Sequence, residues 1–157
     1  MRILLTGGCG FIGSHSVRKL LSRSDVEKLI NLDALTYSGQ PMNLIDVHED
    51  ARYEFAHGSI NDQKLVSQVI HREKIDIIVH LAAESHVDRS IESASDFIQT
   101  NVDGTRVLLE EVLRKKSEGK EIHFVHISTD EVYGSLTPDE PPFTESSPLN
   151  PMNPYSA

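Results

Sequence analysis

Three glycines near the start of the chain are spaced in a way that fits phosphate binding. Gly7, Gly10 and Gly13 lie in the segment TGGCGFIG, directly between a short apolar run and a segment with helical spacing. In such a turn the first glycine allows a sharp bend, the second lets a pyrophosphate approach the backbone, and the third lets helix and strand pack closely. Amide groups at the helix start then hold the anion without a basic side chain. We therefore predict a dinucleotide-binding loop that includes Phe11 and Ile12.

A carboxylate at the end of the next apolar run supports this prediction. Asp33 follows the last glycine by about 20 residues, where an acidic side chain can accept hydrogen bonds from both hydroxyls of an adenosine ribose. Asp33 would repel a 2′-phosphate, and Ala34 offers that phosphate no cation, so the sequence favours NAD over NADP. Glycine-rich turns also occur without a ligand, but the strand, the helix and Asp33 together favour the cofactor.

A hydroxyl and two acids follow a later apolar run. Thr129, Asp130 and Glu131 stand in the segment STDEVYG, at the predicted carboxyl edge of a sheet, where ligands bind in parallel α/β proteins. Because adjacent carboxylates repel each other, such a pair can divide acid and base roles. The same residues also fit the start of a solvated loop, and position and charge alone do not decide between the two interpretations.

Small residues at the end of another apolar run suit a flat ligand. Leu81, Ala82 and Ala83 leave room for a cofactor to lie over the sheet. Ser85 and His86 are placed to contact a ligand beyond it. His86 fits a surface histidine nearly as well.

Five short apolar runs alternate with helical patterns along the chain. Strands are predicted at 2–6, 27–33, 53–57, 77–81 and 123–127, and helices at 11–23, 63–72 and 94–116. This alternation predicts an α/β fold, a Rossmann-like doubly wound parallel sheet of about five strands. Residues 137–154 hold six of the seven prolines and are predicted to form a long loop. Asn153 and Pro154 then indicate the start of a further helix.

Composition and charge exclude several function classes. A net charge of −9 argues against nucleic acid as a partner, since phosphate-backbone binding needs a basic face. No apolar run approaches the ~20 residues that cross a bilayer, and no apolar targeting segment follows Met1. The single cysteine, Cys9, fits a reducing compartment. We expect a cytoplasmic protein with no membrane partner, and no metal site, because no two histidines are paired four residues apart on a helix.

Six motifs together resemble the extended short-chain dehydrogenase/reductases, and within that group the dTDP-glucose 4,6-dehydratases. They are TGGCGFIGSH (6–15), LDALTYSG (32–39), HLAAESHVDRS (80–90), TNVDGT (100–105), STDEVYG (128–134) and PYSA (154–157). The resemblance covers the whole chain. Its most specific part is the pair Asp130 and Glu131, because the similar sugar-nucleotide epimerases generally lack both acids.

The resemblance implies conversion of dTDP-glucose to dTDP-4-keto-6-deoxyglucose through transient hydride transfer to NAD. Tyr155 would take the proton of the sugar C4 hydroxyl while Thr129 orients that oxygen. Glu131 would remove the C5 proton, and Asp130 would protonate the departing C6 hydroxyl. Around the cofactor, beside the three glycines and Asp33, the resemblance places Leu35, Thr36, Ser59, Ile60, Leu81, Ala82, Ala83 and Thr100. It also implies a homodimer built partly on helix 94–116, although the oligomeric state of residues 1–157 alone stays open.

Two departures from the family pattern qualify these expectations. The family usually has Gly-Asp-Ile after the third strand, where this chain has Gly58-Ser59-Ile60, so adenine recognition is expected to be weaker or water-mediated. The family tyrosine belongs to a Tyr-x-x-x-Lys helix, and Ala157 stands two residues before that lysine. We therefore expect residues 1–157 to be an incomplete NAD-binding domain, without the later strands and substrate region, that turns over no substrate by itself. Its end around Tyr155 should fray, with nothing to dock against, and its fifth strand should form an exposed edge.

Two other functions stay open at this point. One is a different NAD-dependent sugar-nucleotide enzyme, an epimerase or a decarboxylase, which the pair Asp130 and Glu131 disfavours. The other is a non-catalytic NAD-binding module.

Overall fold

Five parallel strands form one sheet in the computed structural model, which describes residues 1–157. The strands are β1 (Arg2–Thr6), β2 (Lys28–Asp33), β3 (Tyr53–His57), β4 (Ile77–His80) and β5 (His123–His126). They lie in the order β3-β2-β1-β4-β5, and every neighbouring pair is parallel. This order matches the first five strands of the Rossmann fold, whose full order is 3-2-1-4-5-6. The predicted fold class is confirmed, and each predicted strand lies within one residue of the observed one.

Helices cover both faces of this sheet. They are α1 (Phe11–Leu21), α2 (Gln63–Glu73), α3 (Val87–Glu92), α4 (Ser95–Phe97) and α5 (Thr105–Ser117), with a π-helical turn at Ile98–Gly104. The predicted helix 94–116 is therefore three consecutive segments rather than one regular helix. Asp62 begins α2 as its N-cap, accepting a hydrogen bond from the Leu65 amide at 3.0 Å. None of the helices is long and apolar enough to span a bilayer.

Successive side chains of the central strand β1 pack alternately into two separate apolar cores. Ile3 and Leu5 of β1 pack with Val17 of α1 on one face. Leu4, which points to the other face, packs with residues of α2 and α5 such as Val66 and Leu108. Full burial of each such side chain stabilises the fold by ~1.5–3 kcal/mol. The two cores fix the strands, so their carboxyl ends meet along one edge of the sheet.

The carboxyl-terminal part of the chain departs from regular structure, as its prolines predict. Residues 137–154 contain no helix or strand. β5 pairs only with β4, and Val125 and Ile127 are each 45% exposed, so this side of the sheet is open. The expectation that the end around Tyr155 has nothing to dock against is wrong. The Tyr155 ring lies edge-on to Phe97 at 6.4 Å between ring centroids, and Ser156 is buried.

Candidate functional site

A cleft of about 440 Å³ opens at the carboxyl ends of the strands. It spans the sheet where the chain connections run outward in opposite directions from β1, which is the usual ligand site of doubly wound folds. The residues predicted from the sequence that line it are Gly7, Gly10, Phe11, Ile12, Gly13, Asp33, Thr36, Ser59, Ile60, Leu81, Ala82, Ala83, Ser85, Thr100 and Tyr155. The cleft thus joins segments that are far apart in the sequence.

The loop after β1 is shaped as a backbone cradle. Gly7 has φ +76°, and a Cβ atom there would lie 2.8 Å from the Ala82 nitrogen. A Cβ atom on Gly13 would lie 2.0 Å from the Gly7 carbonyl oxygen. The first amide groups of α1, at Phe11 and Ile12, have no acceptor within the helix. These free N–H groups line the cleft, so the loop fits a pyrophosphate.

A buried asparagine that the sequence reasoning did not single out supports this cradle. The Asn31 side chain is fully buried in β2, and its Oδ1 accepts a hydrogen bond from the Gly8 amide at 2.9 Å. Its Nδ2 donates to the Tyr53 hydroxyl at 3.0 Å. The available signal was an amide within the apolar middle, LINL, of this strand, because buried polar groups need partners.

Asp33 has a structural role in addition to its predicted one. Its Oδ2 accepts a hydrogen bond from the Cys9 amide and its Oδ1 one from the Leu35 amide, both at 2.8 Å. Each carboxylate oxygen keeps a further lone pair for a ligand. Leu35 itself does not line the cleft. It has φ +52°, and its side chain packs against the apolar core beneath α1.

The end of β4 contributes a buried acid that the sequence reasoning passed over. Glu84 lines the cleft, its Oε2 has no hydrogen-bond partner, and burial raises the pKa of its carboxyl group. The Glu84 backbone is tied in both directions to the Asn101 side chain, at 2.9 Å and 2.8 Å. The available signal in the sequence for this buried acid was a charged residue between the small residues Ala83 and Ser85. His86, predicted to contact a ligand, is exposed before α3 and does not line the cleft.

The predicted catalytic residues lie at the β5 end of the cleft. Tyr155 lines it together with Ser128, whereas the neighbouring segment Thr129–Glu131 lies beside it, with both acids exposed. The Thr129 Oγ1 accepts a hydrogen bond from the Glu131 amide at 3.2 Å and begins a 3₁₀ turn. Glu131 Oε2 accepts a hydrogen bond from Asn153 Nδ2 at 3.1 Å. This contact holds the acidic segment against the one that carries Tyr155.

The outer end of the cleft is formed by uncharged groups. Ser59 follows β3, and its hydroxyl both donates to Asn61 Oδ1 at 3.2 Å and accepts from the Asn61 amide at 3.1 Å. Residue 59 offers a hydroxyl where the family usually has a carboxylate. The weaker recognition of adenine expected from this difference stays a prediction.

The chain as a whole is similar to proteins of one enzyme family. A family model described as GDP-mannose 4,6 dehydratase matches residues 4–157. The dTDP-glucose 4,6-dehydratase of Escherichia coli is 45% identical over 170 residues, covering 100% of this chain and 47% of that protein. The crystal structure of DesIV, a dTDP-glucose 4,6-dehydratase from Streptomyces venezuelae with NAD and TYD bound, is 49% identical with a TM-score of 0.89, covering 99% of this chain and 47% of DesIV.

A more distant relative has a different activity. The UDP-Glc/GlcNAc 4-epimerase from Campylobacter jejuni is 32% identical with a TM-score of 0.85, covering 99% of this chain and 44% of the epimerase. The chain spans about half the length of the relatives it matches. The resemblance to dTDP-glucose 4,6-dehydratases that the six motifs indicated is confirmed. Because the family model extends over nearly the whole chain, this protein belongs to the GDP-mannose 4,6-dehydratase family.

Proposed function

We propose that the whole protein is a dTDP-glucose 4,6-dehydratase that uses NAD to form dTDP-4-keto-6-deoxyglucose. The observation that carries this proposal is that one continuous cleft joins the glycine loop after β1 to Ser128 and Tyr155 beyond β5. A ligand held at the loop therefore extends toward the hydroxyl and the acids that the chemistry needs.

The residues of the cleft fit NAD. The glycine cradle has no room for a side chain at Gly7 or Gly13 and presents free amide groups, which suits a pyrophosphate in a protein of net charge −9. Asp33 stands where the adenosine ribose would lie, and the small residues Ala82 and Ala83 leave space on the β4 side for a flat ring. NAD, when bound, accepts a hydride from the sugar and later returns it.

The chain's own residues would divide the proton transfers. Tyr155 takes the proton of the C4 hydroxyl, and Thr129 orients that oxygen by hydrogen bonding. The ketone at C4 acidifies the C5 proton, which Glu131 removes. Asp130 protonates the departing C6 hydroxyl. Ser85, at the cleft wall beyond Ala83, contacts the sugar nucleotide.

The alternative functions receive less support. An epimerase has no need of two acids after Thr129, and the epimerase relative is 32% identical where the dehydratases are 45% and 49% identical. A non-catalytic NAD-binding module would need neither Tyr155 nor Ser128 in the cleft. The buried thiol of Cys9 fits a reducing compartment, so we also propose a cytoplasmic location.

We further propose that the whole protein is a homodimer. Four apolar side chains, Ile98, Val102, Leu109 and Leu113, are between 41% and 65% exposed and follow one another at spacings of four, seven and four residues. Leu109 and Leu113, four residues apart, lie on one face of α5, and Ile98 and Val102 lie on the π-helical turn that leads into it. We call these four residues the α5 stripe. An exposed apolar face of this kind is typical of a protein interface.

The dehydratase proposal is tested on the whole protein with variants of the acidic pair. Asp130→Asn and Glu131→Gln should each lower the rate of dTDP-glucose conversion by roughly 10²-fold or more, the contribution typical of a general acid or base. Asp139→Asn, in the exposed loop that follows, is the matched control and should keep the parent rate. The product is measured by the absorbance of the keto-sugar in alkali. Full activity of both acid variants would refute the proposal.

A further inference from the structure

Three side chains form a continuous hydrogen-bond relay beneath the β4 side of the cleft. Thr6 ends β1, His80 ends β4 and Thr105 begins α5. Thr6 Oγ1 lies 2.7 Å from His80 Nδ1, and His80 Nε2 lies 2.9 Å from Thr105 Oγ1. At the two ends, the Ala82 amide donates to Thr6 Oγ1 at 3.1 Å and Thr105 Oγ1 donates to the Asn101 carbonyl at 2.7 Å. Thr6 and His80 are almost completely buried.

The proton positions in this relay follow from counting donors. The single proton of the Thr105 hydroxyl is given to the Asn101 carbonyl, so Thr105 can only accept from His80. His80 Nε2 therefore carries a proton. Thr6 accepts from the Ala82 amide, and its own proton is free for His80 Nδ1. Every group is satisfied when the imidazole is neutral with its proton on Nε2, and the bonds then all run in one direction.

The relay joins the parts of the cleft that must keep a fixed separation. Thr6 immediately precedes Gly7, the first glycine of the cradle, and a Cβ atom on Gly7 would lie 2.8 Å from the Ala82 nitrogen. Asn101, at the other end, holds the backbone of Glu84 through two hydrogen bonds. The relay thus links the phosphate cradle and the small-residue floor of the cleft to the start of α5.

We propose that His80 is a positioning residue that, as the neutral Nε2-protonated imidazole, fixes Ala82 against the glycine loop and so sets the floor beneath the nicotinamide half of the dinucleotide. This inference rests on the proposed NAD site. Asp33, on the β2 side of the loop, takes the adenosine half, so the other half must extend toward β4, where Ala82 and Ala83 line the cleft. His80 acts through Thr6 and Thr105 and touches no ligand.

The surroundings of the ring keep it neutral at physiological pH. Burial, together with the smaller effect of the nearby His126 of β5, lowers the pKa of His80 to about 4. His126, with ring centroids 5.2 Å apart, is the titratable group that faces His80 from the neighbouring strand. The remaining contacts are the uncharged Thr6 of β1, Phe124 of β5 and Thr105 of α5.

The protonation state is tested by nitrogen NMR of histidine-labelled protein. The expected spectrum has one imidazole with a protonated Nε2 and an unprotonated Nδ1, unchanged between pH 8 and roughly pH 6, well above its pKa of about 4. Its signal is assigned by its loss in His80→Asn. An imidazole protonated on Nδ1, or on both nitrogens at pH 7, would overturn the relay.

The positioning role is tested by comparing NAD with ADP, which lacks the nicotinamide half. Thr105→Val removes the hydroxyl that accepts the hydrogen bond from His80, with little change in side-chain shape. The affinity for NAD should fall roughly tenfold, which is the equivalent of one hydrogen bond. The affinity for ADP should change less than about twofold, which is within the range typical of a surface substitution. Thr105→Ser keeps the hydroxyl and should restore NAD binding. Calorimetry gives both affinities.

Each other result counts against the proposal. Equal weakening of NAD and ADP by Thr105→Val would show a purely structural role, and unchanged NAD binding would show no role. A parent chain that binds neither nucleotide would refute the NAD site itself, and with it the positioning role, while the NMR spectrum would still decide the proton positions. If Thr105→Val fails to fold, the NMR result on the parent protein still decides whether the relay exists.

Discussion

At the scale of single residues, two glycines of the same loop have separable roles. A Cβ atom on Gly13 would lie 2.0 Å from the Gly7 carbonyl oxygen, whereas one on Gly10 would lie 3.4 Å from the same atom, an ordinary contact. Gly13→Ala should therefore destabilise the fold by roughly 3 kcal/mol or more, and lower Tm by about 6 °C or more. Gly10→Ala should lower Tm by only a few degrees.

The same pair of variants separates folding from ligand binding. The methyl group of Gly10→Ala would stand where the pyrophosphate approaches the backbone, so NAD affinity should fall by roughly tenfold or more with the fold intact. Thermal melts with and without NAD measure both effects. A Gly13→Ala protein as stable as the parent, or a Gly10→Ala protein that binds NAD normally, would contradict this assignment of roles.

Single residues also show where sequence reasoning ends. The glycines and Asp33 were predictable because their chemistry depends on spacing along the chain. The roles of Asn31, Glu84 and His80 were not, because each depends on a partner brought close only by folding. Asn31 meets Gly8 across 23 residues, and His80 meets Thr6 across 74. Their polarity within apolar runs was visible in the sequence, but their partners were not.

At the scale of elements, strands were easier to predict than the long helix. The central strands β1 and β4 are buried apolar runs, and every strand contains enough apolar residues that its position could be predicted within one residue. The π-helical turn Ile98–Gly104 has no such signature. Within it, Asn101 binds the Glu84 backbone, and its carbonyl accepts the Thr105 hydroxyl, a side-chain contact that disturbs regular helices. π-helical turns are frequent at functional sites, and this one supplies Thr100 to the cleft.

The α5 stripe gives a prediction about association. In a two-fold interface each residue is buried twice, so one substitution removes two apolar contacts, ~1.5–3 kcal/mol each. Leu113→Glu should weaken the proposed dimer by about 100-fold or more. Leu149→Glu changes an equally exposed leucine in the proline-rich loop and is the control. Sedimentation of the whole protein measures both, and a dimer unaffected by Leu113→Glu would exclude the stripe as the interface.

At the scale of the whole molecule, the buried His80 couples stability to pH. Its folded pKa of about 4 lies below the unfolded value of ~6.5, so between these values the unfolded chain binds a proton that the folded chain does not. Stability should therefore fall as the pH drops from about 6.5 toward 4, by up to about 3 kcal/mol. Glu84 acts in the opposite sense, because its raised pKa costs stability as the pH rises.

Variant comparison isolates the histidine contribution. Urea unfolding of the parent at several pH values between 7.5 and 4.5 gives the slope of its unfolding free energy against pH. His80→Asn should flatten this slope, because its side chain has no proton to gain, whereas His123→Asn changes an exposed histidine and should leave the slope as it is. Equal slopes for the parent and His80→Asn would contradict the burial argument.

The last prediction separates cofactor binding from turnover in residues 1–157. All five strand ends that line the cleft belong to this chain, so it should bind NAD by itself. A tyrosine acts as a base near neutral pH only where a nearby cation favours its ionised form. The Tyr-x-x-x-Lys motif of the family would place that lysine four residues after Tyr155, which is outside residues 1–157. Residues 1–157 should therefore convert no dTDP-glucose, whereas the whole protein should. NAD binding, measured on the same sample, shows that the protein is folded. Turnover by residues 1–157 at the rate of the whole protein would mean that Tyr155 needs no such partner.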